Sequence, residues 1–143
     1  MIRLVSAGPV KASISIATLE QKAGNVAGRF SRRGAELVVE EVRASIGISD
    51  LPAAPGEPPH SSGPYAESWH AGKTWIRRGS ATTSAFSLAK TASGESLARV
   101  LDEGRGPIYP HPHIRSAIRR AAARLSAEVV ALNAQLRGRS HGT

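Results

Sequence analysis

Cysteine is absent from the chain, which removes disulfide frameworks, thiolate metal sites and cysteine nucleophiles together and fits a reducing compartment. Aromatic residues are scarce too, at 4% of 143 positions, so a core has to be built mainly from Val, Ile, Leu and Ala. No apolar run approaches the ~18 residues of a membrane-spanning helix, and the opening MIRLVSAGPVKASIS has no secretory apolar stretch. The expectation is a protein outside the membrane and not exported by that route. Walker A and G-x-G-x-x-G loops are missing, as is a G-x-S-x-G elbow, so neither nucleotide binding nor serine catalysis has a sequence handle.

What the chain does have is 41% hydrophobic residues and a surplus of positive charge, 19 Lys and Arg against 11 Asp and Glu. The first is enough for one domain of modest core, spanning 1–143. The second favours polyanions or acidic protein partners.

Apolar residues Leu19, Ala23, Val26, Phe30, Leu37, Val38, Val42 and Ile46 recur at helical spacing. They predict an N-terminal helical region over 18–46, either one long helix or two with a break near Gly28 to Gly34, because each interior glycine costs about 1 kcal/mol. Ser31 would cap the second piece and Gly47 would stop it. Residues 52–64, PAAPGEPPHSSGP, hold five prolines and two glycines, which excludes regular helix or central strand and predicts a long extended loop.

Trp69, the run Lys73 to Ile76 and the run Ser84 to Leu88 read as strands of a small antiparallel sheet. Glu95 to Glu103 reads as a short helix capped by Ser93 and ended by Gly104. Ile114, Ile118, Ala122, Leu125, Val129, Leu132 and Leu136 keep to one stripe of a C-terminal amphipathic helix packed on the sheet. Residues 138–143 are expected to be a flexible tail. The fold class is therefore α+β.

Chemistry-bearing residues are few. His111-Pro112-His113 has the spacing of two metal ligands, but further ligands would have to come from distant His60, His70, Asp102 or Glu103, and no metal or other cofactor is expected. Asp102 and Glu103, as neighbours in sequence, do not converge on one substrate atom, so acid–base catalysis is not expected. Arg115, Arg119, Arg120 and Arg124 form a basic face on the closing helix, suited to DNA phosphates or an acidic partner. Trp69 and Trp75 read as core or interface anchors.

Taken in order, three segments resemble a known family. They are Pro55-Gly56-Glu57-Pro58-Pro59-His60-Ser61-Ser62-Gly63-Pro64-Tyr65-Ala66-Glu67-Ser68-Trp69, then Leu101-Asp102-Glu103-Gly104, then Pro110-His111-Pro112-His113-Ile114-Arg115-Ser116-Ala117-Ile118. Together they are similar to the loop, "V-E-x-G-T" and "P-x-x-P-F-L-R-P-A" motifs of the head-tail joining, neck or tail-completion proteins of tailed phages. Pro64-Tyr65 stands where that family often has Arg-Leu, and His113-Ile114 where it often has Phe-Leu.

The resemblance implies a non-enzymatic virion subunit that forms a ring around the DNA exit channel and is assembled in the host cytoplasm. Its partners would be itself, head-closure or adaptor proteins, and tail-terminator or tail-tube proteins, with non-specific contact to genomic DNA. Pro58, Pro59, Tyr65, Trp69, Tyr109, His111 and His113 are then the expected interface residues. The alternative from another class is a basic, non-specific DNA-binding protein.

Overall fold

The computed structural model describes residues 2–7, 11–16, 21–61, 63–78 and 80–140. Its elements in chain order are β1 (Ile2–Ala7), β2 (Lys11–Ile16), α1 (Gln21–Ser45), β3 (Gly47–Ile48), β4 (His60–Ser61), α2 (Pro64–Glu67), β5 (Trp69–Arg77), β6 (Ser80–Ser87), α3 (Leu97–Glu103) and α4 (Ile114–Ser140). The chain is α+β. Among the described residues no helix is long and apolar enough to cross a membrane.

The described strands form three two-stranded sheets, of which two are antiparallel pairs. β1 pairs with β2 from Ile2 opposite Ile16 to Ala7 opposite Lys11, and β5 pairs with β6 from Trp69 opposite Ser87 to Arg77 opposite Ser80. β2 lies beside β6, and α1 lies across β2, β5 and β6. A two-residue parallel pair, Gly47 opposite His60 and Ile48 opposite Ser61, closes the proline-rich loop at its base.

The expected helical region of 18–46 is present as α1, and the strands before it are an addition to the expected elements. IRLVSA and KASISI alternate apolar and small residues around Gly8-Pro9, a period-2 pattern weakened by Ser and Ala, which are poor strand formers.

Of the two readings of the first helical region, the single helix holds and the break does not: α1 runs unbroken for 25 residues. Gly28 is placed where α1 meets β5, and a Cβ there would come within 3.2 Å of Ile76 Cδ1. The missing side chain permits close helix–sheet approach, which offsets the propensity cost. Ser31 is no cap. It is buried, with its hydroxyl 2.8 Å from that of Thr83 on β6, and Thr83 Oγ1 is in turn 2.8 Å from Thr74 Oγ1 on β5.

Leu37, Val38 and Val42 of α1, Trp69 and Ala85 of the β5–β6 pair, and Ala117 and Leu125 of α4 form the centre of the core. Each of the larger aliphatic or aromatic side chains contributes about 1.5–3 kcal/mol through burial. Val26, expected on the buried stripe, is 50% exposed.

α4 packs along α1 and also reaches β1. Its buried stripe is Ile114, Ala117, Ala121 and Leu125, while Leu132 and Leu136 remain exposed. The core therefore ends about halfway along this helix. Gly138 to Ser140, expected in a flexible tail, continue α4; residues 141–143 lie outside the described residues.

The two helices are antiparallel and joined by an ion ladder. Arg33 on α1 donates to both carboxylate oxygens of Glu128, at 2.7–3.1 Å. Glu40 meets Arg124 at 3.0 Å, and Glu41 accepts from Arg120 at 2.8 Å and Arg124 at 3.0 Å.

Candidate functional site

Three distant stretches of sequence meet around one buried imidazole. Pro64 occupies the first turn of α2, where its missing N–H is harmless. This short helix carries Tyr65 inward, and β5 starts two residues beyond the helix with Trp69. α3 ends at Gly104, whose φ of 75° and ψ of 160° are accessible almost only to glycine. The chain then turns through Arg105 to Ile108, held by reciprocal backbone bonds of 3.0 and 2.9 Å, and passes along Pro110 to Pro112 into α4.

His113 is the residue just before α4 and is 1% exposed. Its Nδ1 lies 2.7 Å from the His111 carbonyl, which can only accept, so Nδ1 carries the proton. Nε2 is then the acceptor for the Tyr65 hydroxyl at 2.8 Å. Tyr65 stands edge-on to both the His113 ring, at 5.8 Å between centroids, and the Trp69 ring, at 6.4 Å.

Burial pushes the His113 imidazole below its ordinary range. Burial likewise pushes the Tyr65 hydroxyl up. Both groups are thus held neutral near pH 7, as a closed hydrogen-bonded pair requires.

Asp102 completes the cluster from α3. Its Oδ1 accepts the backbone N–H groups of His113 at 2.9 Å and Ile114 at 3.1 Å, and lies 3.5 Å from His113 Nδ1. These N–H groups sit at the start of α4, where no intrahelical acceptor exists. Asp102 is a helix cap supplied from another element, and its negative charge also suits the helix N-terminus.

The proline-rich loop is tied to the same region. The Gly56 N–H donates to the Pro110 carbonyl at 3.2 Å, and His111 Nδ1 donates to the Glu57 carbonyl at 2.9 Å. His111 and His113 therefore point in different directions, one to the loop and one to the interior. Among the described residues no three His, Asp or Glu side chains gather in a metal-holding group.

The expected interface residues divide. Pro59, Tyr65, Trp69 and His113 are buried within their own chain, Tyr65 and Trp69 because α2 and β5 carry them into the core. This corrects their assignment to a subunit interface. Pro58 and Tyr109 are exposed, Tyr109 at 65%, and His111 is half-buried.

The basic face of α4 divides as well. Arg120 and Arg124 are committed to Glu40 and Glu41 of α1, while Arg115 and Arg119 are exposed and make no ion pair among the described residues. The continuous phosphate-binding face expected of the four arginines is reduced to two.

Sequence reasoning missed the role of Asp102. Its partners are 11 and 12 residues away, beyond the three-residue spacing by which a capping box announces itself. Of the two tryptophans read as core or interface anchors, Trp69 is in the core and Trp75 is 71% exposed. The alternation of Lys73, Trp75 and Arg77 was the available signal, since alternate strand residues share a face.

The His113 side chain is fully enclosed, and the cluster acts as a latch for α4. No family model, curated protein or solved structure matches the chain.

Proposed function

We propose that this chain is a structural subunit of the head-to-tail interface of a tailed phage, part of a neck or tail-completion ring around the DNA exit channel. Its role there is one of shape and adhesion and not of chemistry. What supports the reading is the convergence of the three motif segments. Tyr65 and Trp69 from the loop motif, Asp102 from the Leu-Asp-Glu-Gly motif, and His113 and Ile114 from the last motif touch within one cluster.

That convergence gives the order of the motifs a physical reason, because each supplies one part of the latch that docks α4. It also accounts for the two positions that depart from the family pattern. Tyr65 and His113 are partners in a hydrogen bond, so a polar pair replaces what an apolar pair would do.

In this role the subunit contacts copies of itself, head-closure or adaptor proteins, and tail-terminator or tail-tube proteins, within a virion assembled in the host cytoplasm. The test is genetic and microscopic. Particles made without this chain should accumulate as filled heads and separate tails, and antibody label on intact virions should fall at the head–tail junction. Normal infectious particles lacking the chain would overturn the reading.

A further inference from the structure

Charge in the middle of the chain is segregated. Between Ala44 and Ser68 the only acidic or basic residues other than His60 are Asp50, Glu57 and Glu67; between Trp69 and Gly94 the Lys and Arg residues are Lys73, Arg77, Arg78 and Lys90, with no acid at all. Several arginines elsewhere have carboxylate partners, among them Arg32, Arg33, Arg99, Arg105, Arg120 and Arg124. Lys73, Arg77 and Arg78 are exposed and have no ion pair among the described residues, and the same is true of Asp50 and Glu67.

The fold carries the two groups to opposite ends of α1. At one end Ile76 reaches Gly28, so the β5–β6 turn with Arg77 and Arg78 lies beside the N-terminal part of the helix. At the other, the acidic loop leaves α1 at Ser45 and is anchored by the β3–β4 pair. The rise from Gly28 to Ser45 is about 25 Å. The two patches cannot meet within one chain.

Each patch also carries unsatisfied apolar surface. Thr74 and Ile76 face α1, so Lys73, Trp75 and Arg77 share the outer face of β5. Trp75 is 71% exposed there, opposite only Thr82. On the loop side Ile48 is 86% exposed and Leu51 is 73% exposed, flanking Asp50.

The geometry points to a head-to-tail contact between copies of this chain, in which the Lys73-Trp75-Arg77-Arg78 face of one protomer docks on the Ile48-Asp50-Leu51 loop and Glu67 of the next. A tryptophan anchor rimmed by complementary charge is a common composition for such a contact. Two different patches at opposite ends make the contact heterologous, which closes into a ring when the rotation per subunit permits. The inference rests on the ring reading above and names the surfaces that build it.

Two charge reversals test it, Arg77→Glu with Arg78→Glu and Asp50→Lys with Glu67→Lys, all at exposed positions without ion-pair partners. Wild-type protein at low salt should sediment as a discrete oligomer that dissociates at high salt. Each variant, with unchanged circular dichroism, should sediment as monomer, and an equimolar mixture should regain the oligomer because every junction is again complementary.

An oligomer indifferent to both reversals would overturn the contact, as would a mixture that stays monomeric. Loss of assembly in Arg115→Glu with Arg119→Glu, with the hairpin variant still assembled, would also overturn it by moving the interface to α4. Wild-type protein that remains monomeric at low salt would overturn it too, whereas the neck assignment stands or falls separately on the labelled virions.

Discussion

Asp102 Oδ1 receives the backbone N–H groups of both His113 and Ile114, so the first turn of the longest helix is capped by a side chain from the preceding helix. The two helices are thereby held at a fixed junction. Replacing Asp102 by Ala should destabilise the fold by about 1 kcal/mol, the usual loss on removing a helix cap. Asn keeps an acceptor oxygen and should recover most of that. Urea unfolding midpoints of the three proteins give the comparison, and equal midpoints for Ala and wild type would refute the cap.

Acid should weaken the latch at His113. Burial lowers its proton affinity in the folded chain, so the unfolded chain binds the proton more readily. Stability is then complete above the unfolded imidazole value of about 6.5 and falls below it, by at most about 1.4 kcal/mol per pH unit, until the folded group itself protonates. The wild-type urea midpoint should drop between pH 7.5 and 5.0. His113→Leu should show a flatter response over that interval, and an unchanged slope would show that the buried imidazole is not its source.

Gly104 cannot carry a side chain. Its φ of 75° and ψ of 160° cost another residue about 1–3 kcal/mol, and a Cβ would stand 2.9 Å from both the Ile108 carbonyl oxygen and the Pro110 ring. Gly104→Ala should therefore lower the thermal midpoint clearly more than Gly94→Ala. Gly94 also has a positive φ, of 85°, but open space around it. Similar losses for the two would mean that the crowding at Gly104 contributes nothing.

The α1–α4 ladder should be sensitive to salt and acid. Hydrogen bonds from Arg120 and then Arg124 hold the Glu41 carboxyl below its ordinary value of 4.5. A depressed carboxylate stabilises the fold above that value, and the contribution disappears as the pH falls through the folded one. Glu41→Gln should cost less than about 1 kcal/mol at low salt, since its arginines are well exposed. The difference from wild type should shrink at about 1 M NaCl, where screening reaches a few ångströms. A deficit that persists undiminished would point to lost packing instead.

Legibility in the sequence followed the range of the interactions. The second half of α1, the punctuation at Gly47, the proline-rich loop, the β5–β6 pair, the end of α3 and the start of α4 are governed by local spacing, and were readable from it, whereas α3 starts at Leu97 after Ser96 and not from a cap at Ser93. Gly28 misled because its propensity cost is local while its benefit, close approach to Ile76, comes from a strand nearly fifty residues later. Ser31 misled for the same reason: its hydroxyl meets Thr83 and not the helix start. Tyr65 and His113 were read as interface residues, since nothing near either one reveals the other 48 positions away. The first two strands escaped notice because serine and alanine dilute their alternation.

The ladder between α1 and α4 also sets a timetable for the growing chain. Arg33 waits for a partner 95 positions later, and Leu37, on the same side of the helix, shares a core cluster with Leu125. During synthesis the ribosome must therefore release most of the protein before this face of α1 can be covered. Until then a nascent chain leaves Leu37 bare on α1, the kind of apolar surface that holding chaperones engage.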